Sequence, residues 1–358
     1  MKRYEKKLVL EFEAPDAITF EVSNEKNGKI IIKANIDQPS FCSQNCSKQT
    51  HSLLKETEIK YVDTSLKENY ANPPIPPGYI YIRGKWNDGF VIERESDESQ
   101  FVWIPVGFLN PNGTLDGHSF DSKFGRRCFY KRPEIFSIID SYCYFNPKPL
   151  QIKEPEIFSR KDFYEPLTPE LQMQIKSVEK YGGFYISRYN ISMSKYGKPQ
   201  SKRCEIPLEC IRDEILQLAS SFENTDTIKS HLTYGAEYDS VLEWFMKSGK
   251  KTAYSIVIDS TSWGNYFDGK QQNSYSKEKA PQLTGISDTW CVNRLYDFAG
   301  NVTELTQEEY NFNKASVCRG GDFRDSGKTW AAATRRVLQH YSPKLYEYGF
   351  HIALYLKP

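Results

Sequence analysis

Two carboxylates on either side of a glycine turn are the residues of this chain best placed to do chemistry. Asp297 and Glu304 lie seven positions apart and bracket Gly300, within the run YDFAGNVTEL. A tight loop can direct both side chains and backbone carbonyls at one point, and such an all-oxygen set suits a hard cation. The same carboxylates could instead cap the turn by accepting backbone N–H bonds, without a metal. The pattern predicts a cation site, with the capped turn as the alternative.

Thiols and imidazoles, which bind softer metals, are scattered along the chain. The last of the eight cysteines is Cys318, and Cys291 lies on the other side of the carboxylate loop. These two could form a rearranged metal site, but two inert buried thiols are the simpler interpretation. Of the five histidines, only His340 and His351, eleven positions apart, have a spacing that a shared metal could use. The chain contains no phosphate-binding glycine loop, nucleophile elbow or HExxH motif.

Two further motifs follow the loop, CRGGDF at residues 318–323 and YGFH at residues 348–351. With the loop, they form a pattern that resembles the domain of formylglycine-generating enzymes (sulfatase-modifying factors), a branch of the C-type lectin-like fold. That family has a GNVxEW loop, an RGGSW turn and a closing GFR strand. Its catalytic members place one cysteine two residues beyond the RGG-x-aromatic turn and a second five residues further on. Asp325 and Trp330 occupy these positions here. Copper(I) in such an oxidase needs soft sulfur ligands, so the resemblance implies the fold without its oxidase chemistry.

The resemblance spans about residues 76–358 and implies an α+β domain, of the C-type lectin-like, formylglycine-generating-enzyme-like type, with much irregular structure. His351 stands where the family has the arginine of its GFR strand, so a titratable ring replaces a permanent charge. In the family, the carboxylate loop holds a structural calcium ion. The residues that match its ligands are Asp297 and Glu304 by their side chains, and Gly300 and Val302 by their backbone oxygens.

The composition excludes several classes of protein. The 358 residues carry 47 Lys and Arg against 46 Asp and Glu, a net charge of +1. Binding to nucleic acid without sequence preference needs a basic excess, so no nucleic-acid partner is expected. No apolar run approaches the roughly 18 residues of a membrane span, and residues 8–10 run into Glu11 without a signal region. The sequence therefore predicts no signal peptide and a cytoplasmic protein, or a virion-associated one if a phage encodes it.

Patterning divides the chain into two parts. Residues 1–72 read as a small β-rich extension with a linker, and residues 73–358 read as the larger domain, with an insertion at about 107–165. In the extension, apolar residues alternate with polar ones on both sides of an Asn-Gly pair, which predicts a hairpin. Four prolines within residues 73–77 mark the boundary.

Three helices are expected in the larger domain. Thr168 and Pro169 start the first, as N-cap and first helical residue, and Gly182 ends it. A second amphipathic helix follows from Ile211 onward, and Thr233 is expected to cap the third. Beyond these helices the chain shows almost no helical period.

The segment 324–348 is rich in the residue types that dominate interface hot spots. We interpret the chain as a non-catalytic ligand- or protein-binding module on a calcium-stabilised lectin-like scaffold. Its ligand would be an unknown protein or carbohydrate, and it would be associated with a phage or a mobile element. Equally, the tryptophan could belong to the core and the arginines could pair with acids. Two other functions stay open: a divergent metal-dependent oxidoreductase of the same superfamily, or a structural virion component docked through residues 1–72. The candidate surface residues are Trp330, Arg335, Arg336, Tyr341 and Tyr346.

Overall fold

The computed structural model describes residues 18–24, 30–36, 58–63, 69–106, 127–132, 135–140, 163–164, 168–208, 210–269, 281–310, 315–337 and 348–358. The chain divides into two compact units, residues 1–54 and 55–358. In the smaller unit, strands β1 (Ile18–Asn24) and β2 (Ile30–Ile36) pair antiparallel, with Asn24 opposite Ile30. This pairing confirms the predicted hairpin strands, whereas the Asn-Gly pair itself lies outside the described residues.

The larger unit is mixed α+β, as predicted. Its described helices are α1 (Pro169–Tyr181), α2 (Arg212–Ser221), α3 (Gly235–Lys247) and α4 (Ala253–Val257), with 3-10 turns at Asn69–Ala71 and Asp288–Trp290. Its described strands are β3 (Tyr79–Arg83), β4 (Val91–Arg94), β5 (Gln100–Pro105), β6 (Arg127–Arg132), β7 (Ile135–Asp140), β8 (Phe163–Tyr164), β9 (Gly183–Ser187), β10 (Ser192–Met193), β11 (Pro199–Gln200), β12 (Ile228–Leu232), β13 (Cys291–Val292), β14 (Leu295–Tyr296), β15 (Thr303–Tyr310), β16 (Ala315–Arg319), β17 (Arg335–Val337), β18 (Tyr348–Gly349) and β19 (Ile352–Leu356).

Two sheets organise these strands. The first is antiparallel, in the order β12-β19-β9-β5-β4-β3. The second has the order β17-β16-β15-β18, with β8 also pairing with β15, and its β15–β18 pair is parallel. The pairs β6–β7, β10–β11 and β13–β14 form separate two-stranded ribbons. The carboxylate loop joins one such ribbon to the second sheet, since it runs from the end of β14 to the start of β15.

The central strands of the first sheet, β5, β9 and β19, are buried on both faces. Along β5, Phe101 and Trp103 belong to one apolar cluster, whereas Val102 and Ile104 belong to the other. This division follows from the alternation of side chains along a strand. Helix α3 contributes to the cluster of Val102, and helix α2 contributes to the cluster of Phe101. A strand covered on both sides reads as a continuous apolar run, as the sequence FVWIP of β5 does.

Local signals set the helix ends. The Thr168 hydroxyl accepts the backbone N–H of Leu171, Pro169 is the first helical residue, and Gly182 adopts the left-handed conformation that ends α1. These three features confirm the predicted first helix. The prediction for α3 is wrong by one residue, because Tyr234 is the N-cap residue and the Thr233 hydroxyl donates to the His351 carbonyl instead.

Helix α4 follows the third helix, although the sequence showed almost no helical period there. It is only five residues long, and the reciprocal bonds between Thr252 and Ser255 fix its first turn. A single capped turn contains too few residues to display a period.

The start of the larger unit differs from the predicted boundary at residue 73. Lys60 pairs with Ile75, and the Tyr70 carbonyl accepts the indole N–H of Trp103. Ala71 is buried. Described residues on both sides of position 73 therefore pack into one unit. Of the predicted insertion, only residues 127–132, 135–140 and 163–164 are described. Within the described parts, no helix is long and apolar enough to cross a bilayer.

Candidate functional site

The carboxylate loop, which runs from Asp297 to Glu304, is a tight turn. Asp297, Gly300 and Asn301 all have positive φ angles, of 60°, 69° and 65°. A Cβ atom on Gly300 would lie 2.4 Å from the carbonyl oxygen of Asn265, so the close approach of these two backbones requires glycine. The Asn301 Oδ1 atom accepts from the Asn265 side chain and from the backbone N–H of Gln282. Asn301 therefore ties the turn to residues that are remote in sequence.

Asp297 is a buried carboxylate with hydrogen bonds to only one of its two oxygens among the described residues. Its Oδ2 atom accepts from the Thr284 hydroxyl at 2.6 Å and from the Gly285 N–H at 2.8 Å. Its Oδ1 atom is buried and accepts no hydrogen bond among the described residues. Burial raises the pKa of Asp297 to about 6, although the two hydrogen bonds act in the opposite direction. Removing a carboxylate from water disfavours its charged form.

Glu304, the second carboxylate, faces an imidazole. Its Oε1 atom lies 2.9 Å from Nδ1 of His351 and accepts the side-chain N–H of Asn190 at 2.5 Å. The His351 ring also lies against Phe298, with their ring centroids 4.9 Å apart. His351 thus occupies the interior and pairs with a loop carboxylate, a partner that the sequence did not reveal.

The geometry meets the needs of a cation only in part. The unpaired Asp297 Oδ1 is an oxygen donor in a buried place, which suits a hard cation. Asp297 Oδ2 and Glu304 Oε1 are already engaged by protein hydrogen-bond donors, and the Gly300 carbonyl accepts the N–H of Val302 at 2.9 Å. In the part of the chain that the structure describes, no three His, Cys, Asp or Glu side chains converge to hold a metal. Any cation here would depend on backbone carbonyls for most of its ligands.

Arg335 is not a surface residue, so the prediction that placed it on a binding face is wrong. Its side chain is 0% exposed and contacts Glu308 Oε1 at 2.7 Å and Asp239 Oδ2 at 2.8 Å. Arg319 contacts the other oxygen of Asp239 at 2.5 Å and stacks over Tyr238. The cause is helix α3, which carries Asp239 into the interior, where a buried carboxylate needs a cationic partner.

Arg336, the next residue, points the opposite way and organises a surface. It makes two contacts with the Asp325 carboxylate, at 2.9 and 3.0 Å, and its guanidinium lies 3.8 Å from the ring centre of Trp330. Its side chain is 22% exposed. An arginine that is held both by a carboxylate fork and by an aromatic face has little conformational freedom left to lose on binding.

Neighbouring residues extend this surface. The backbone N–H of Phe267 donates to the Asp325 carbonyl at 3.2 Å, and Phe267 is 56% exposed. Arg324 pairs with Asp322 at 3.3 Å. Tyr348 interacts electrostatically with both arginines, and burial raises its pKa to about 12. We call this surface the Trp330 patch; its members are Phe267, Arg324, Asp325, Trp330, Arg336 and Tyr348.

The remaining sequence candidates fall into two groups. Cys291 and Cys318 are free thiols, and burial raises the pKa of both. His340, Tyr341 and Tyr346 lie outside the described residues. Because the thiolate is the metal-binding and nucleophilic form of cysteine, the raised pKa values keep both thiols in their less reactive state.

Phe267 and Arg324 were missed as patch residues, and Asn190 was missed as a partner of the loop. Arg324 begins the segment 324–348, and its place two residues after the acidic Asp322 was the available signal. Phe267 lies three residues after a Trp-Gly pair at residues 263–264. No sequence signal pointed to Asn190, which lies more than 100 positions from Glu304.

Comparison with known proteins adds little to the geometry. No protein-family model matches this chain, and no curated protein matches it. Among solved structures, Treponema denticola variable protein 1 is similar at a TM-score of 0.29 and 13% identity, over 79% of this chain and 100% of that chain. A superposition at this level does not establish a shared fold.

Proposed function

We propose that this chain is a non-catalytic binding module on a C-type lectin-like scaffold of the formylglycine-generating-enzyme type. Its recognition surface is the Trp330 patch, which takes a protein or carbohydrate ligand. One observation carries the proposal: Arg336 joins Asp325 and Trp330. These are the two positions at which the resembled oxidases place their cysteines. Where the resembled oxidases have a copper centre, this chain has a salt bridge and a cation–aromatic stack.

The types of residue in the patch support a recognition role. Tryptophan, tyrosine and arginine dominate interface hot spots because they combine large contact area with directional bonding. The buried side of β17 anchors the patch, since Arg335 lies in the interior while Arg336 is partly exposed. Such a rigid, partly exposed cluster reduces the ordering cost of binding.

Calcium at the carboxylate loop is a second part of the proposal. Its support is the buried Oδ1 atom of Asp297, which has no hydrogen-bond partner in the described part of the chain. The ion would bind through Asp297 and Glu304 and through the carbonyls of Gly300 and Val302. Its role would be structural, fixing the turn that leads into β15. If so, calcium raises the melting temperature relative to a chelator, by mass action on the folded state, and Glu304→Ala removes that gain.

Peptide selection tests the recognition role. A random peptide display library is selected on the intact protein, and each selected clone is then measured on Trp330→Ala. The matched control is Tyr254→Ala, which removes an exposed aromatic ring outside the patch. We expect clones that lose about tenfold or more in affinity on Trp330→Ala and bind the control normally. If every clone binds Trp330→Ala as well as it binds the wild type, the patch is not the recognition surface.

A turnover assay separates this proposal from the oxidoreductase alternative. The protein is supplied with copper(I) and a cysteine peptide of the sulfatase type, and aldehyde formation is followed by mass spectrometry. We expect no product above the metal-free background. Product that disappears in Cys318→Ser would establish the enzyme instead.

A further inference from the structure

From the charges and apolar groups of the Trp330 patch we infer the chemistry of its partner, and this inference rests on the proposed function. The partner is a protein that presents an acidic peptide segment in which carboxylates alternate with apolar side chains. The carboxylates meet the exposed cations at the patch, Arg324 and Lys328, and the apolar side chains contact its aromatic rings.

The most exposed charged side chains at the patch are cations. The Arg324 side chain is 44% exposed, whereas its partner Asp322 is only 2% exposed. Lys328 is also exposed. Asp322 lies below the surface, where it accepts the backbone N–H of Arg324 at 2.7 Å. The most exposed charges that an approaching partner meets are therefore positive, although Asp268, Asp322 and Asp325 equal the three cations in number.

Aromatic groups border these cations. Phe267 is largely exposed, and Trp330 is partly exposed beneath the guanidinium of Arg336. The loop that carries Phe267 is fixed to the patch, because the Asp268 carboxylate accepts from Ser326 at 2.6 Å and from Gly327 at 2.9 Å. Apolar side chains of a partner can displace water from these rings, which favours association.

An acidic peptide fits this surface better than a nucleic acid does. A polyphosphate strand needs a run of cations, and the chain as a whole has a net charge of only +1. A peptide can place single carboxylates opposite the exposed Arg324 and Lys328 and keep apolar groups elsewhere, and the guanidinium of Arg324 matches a carboxylate.

Defined probes test the inference on the full-length protein by fluorescence anisotropy. The acidic probe is a fluorescein-labelled peptide of alternating glutamate and leucine. Its matched analogue has glutamine in place of glutamate, and a single-stranded oligothymidine of similar charge is the third probe. The variants are Arg324→Gln, Arg324→Lys and Trp330→Ala. Arg203→Gln is the control, because it removes an arginine with a 48% exposed side chain, paired with Asp288, outside the patch.

We expect the acidic peptide to bind about tenfold more tightly than its glutamine analogue, since two exposed charge contacts each contribute a factor of about three. Arg324→Gln lowers the affinity about threefold, Arg324→Lys restores most of it, and Arg203→Gln leaves it unchanged. Added salt reduces the difference in affinity between the acidic peptide and its glutamine analogue, because exposed charges are screened.

Three results would overturn the inference. The first is equal binding of the two peptides with retained dependence on Trp330, which leaves the proposed function standing and removes only the acidic partner. The second is tighter binding of oligothymidine, which makes the partner a nucleic acid. The third is acidic-peptide binding whose affinity is unchanged by both Arg324→Gln and Trp330→Ala, or binding that is undetectable at about 1 mM, the weak limit of specific recognition. This result counts against the proposed function as well.

Discussion

Asp297→Asn tests the electrostatics of the carboxylate loop. The substitution keeps the shape of the side chain and leaves an oxygen that can accept from Thr284 and Gly285. It removes the negative charge and replaces the unpaired Oδ1 with an amide N–H₂. In the metal-free protein we therefore expect the variant to be more stable than the wild type at neutral pH.

The magnitude follows from the pKa. Burial raises the pKa of Asp297 from 3.8 to about 6. At about 1.4 kcal/mol per pKa unit, holding this carboxylate charged in the folded state at pH 7 costs about 3 kcal/mol. The new amide N–H₂ also needs an acceptor, so part of this gain is lost. We expect a net stabilisation of about 1–2 kcal/mol.

The sign with pH follows from the same shift. An acid whose folded-state pKa is raised takes up its proton at a higher pH in the folded state than in the unfolded chain. The cost to the wild type is therefore greatest at neutral pH, falls to about half at pH 5, and is small near pH 4, close to the unfolded value. The advantage of the asparagine variant shrinks over the same range.

The assay is urea unfolding followed by tryptophan fluorescence, at several pH values between about 4 and 7, with chelator or with calcium. Asp288→Asn is the control, because its side chain is 76% exposed, so its neutralisation changes stability by less than about 0.5 kcal/mol. In chelator, a variant less stable than the wild type at neutral pH refutes the electrostatic reasoning. In calcium, the wild type gains and the variant does not if the loop binds the ion. An equal response of both proteins to calcium contradicts the metal part of the proposal.

Three further predictions concern the larger unit. A fragment that begins at Lys55 should melt at a higher temperature than one that begins at Pro73. Only the longer fragment keeps buried Ala71 and the Tyr70 carbonyl that accepts the indole N–H of Trp103. Equal melting temperatures of the two fragments would contradict this prediction. Arg335→Met should lower the unfolding free energy by about 3–5 kcal/mol, since it removes a cationic partner from two buried carboxylates, Asp239 and Glu308. If urea unfolding shows the same stability as the wild type, the buried network does not depend on Arg335. Burial lowers the pKa of His231, but contact with a buried glutamate outweighs this and raises it. The stability lost in His231→Gln should therefore be larger near pH 6 than near pH 9. A loss independent of pH would mean that folding does not shift the pKa of this ring.

Local signals in the sequence predicted the structure correctly where that structure depends on residues close to one another in the chain. Helix α1 was predicted at both ends because its cap, its first-turn proline and its terminal glycine all act within a few positions. The third helix was misplaced by one residue because two candidate residues stood side by side. The Thr233 hydroxyl found an acceptor in His351, more than 100 positions away, and no local rule contains that partner.

The same limit applies to the candidate site. The loop could be predicted as a glycine turn with two carboxylates, but Glu304 pairs with residues on other strands and Asp297 with residues 284–285. Similarly, Arg335 and Arg336 are adjacent and chemically identical. The alternation of side chains along a strand requires one to face inward and the other outward, yet the sequence does not state which. The buried acids on α3 and β15 decide it.

That division of Arg335 from Arg336 links the stability of the unit to its proposed function. Arg335 holds β17 against buried Asp239 and Glu308, and this anchor fixes where the next side chain emerges. Arg336 is then held by Asp325 and stacked on Trp330 before any partner arrives. A guanidinium fixed in this way loses little freedom on binding, so its contacts contribute more of their energy to affinity. Substitutions on the outward side should therefore change recognition with little effect on folding, whereas substitutions on the inward side should change both.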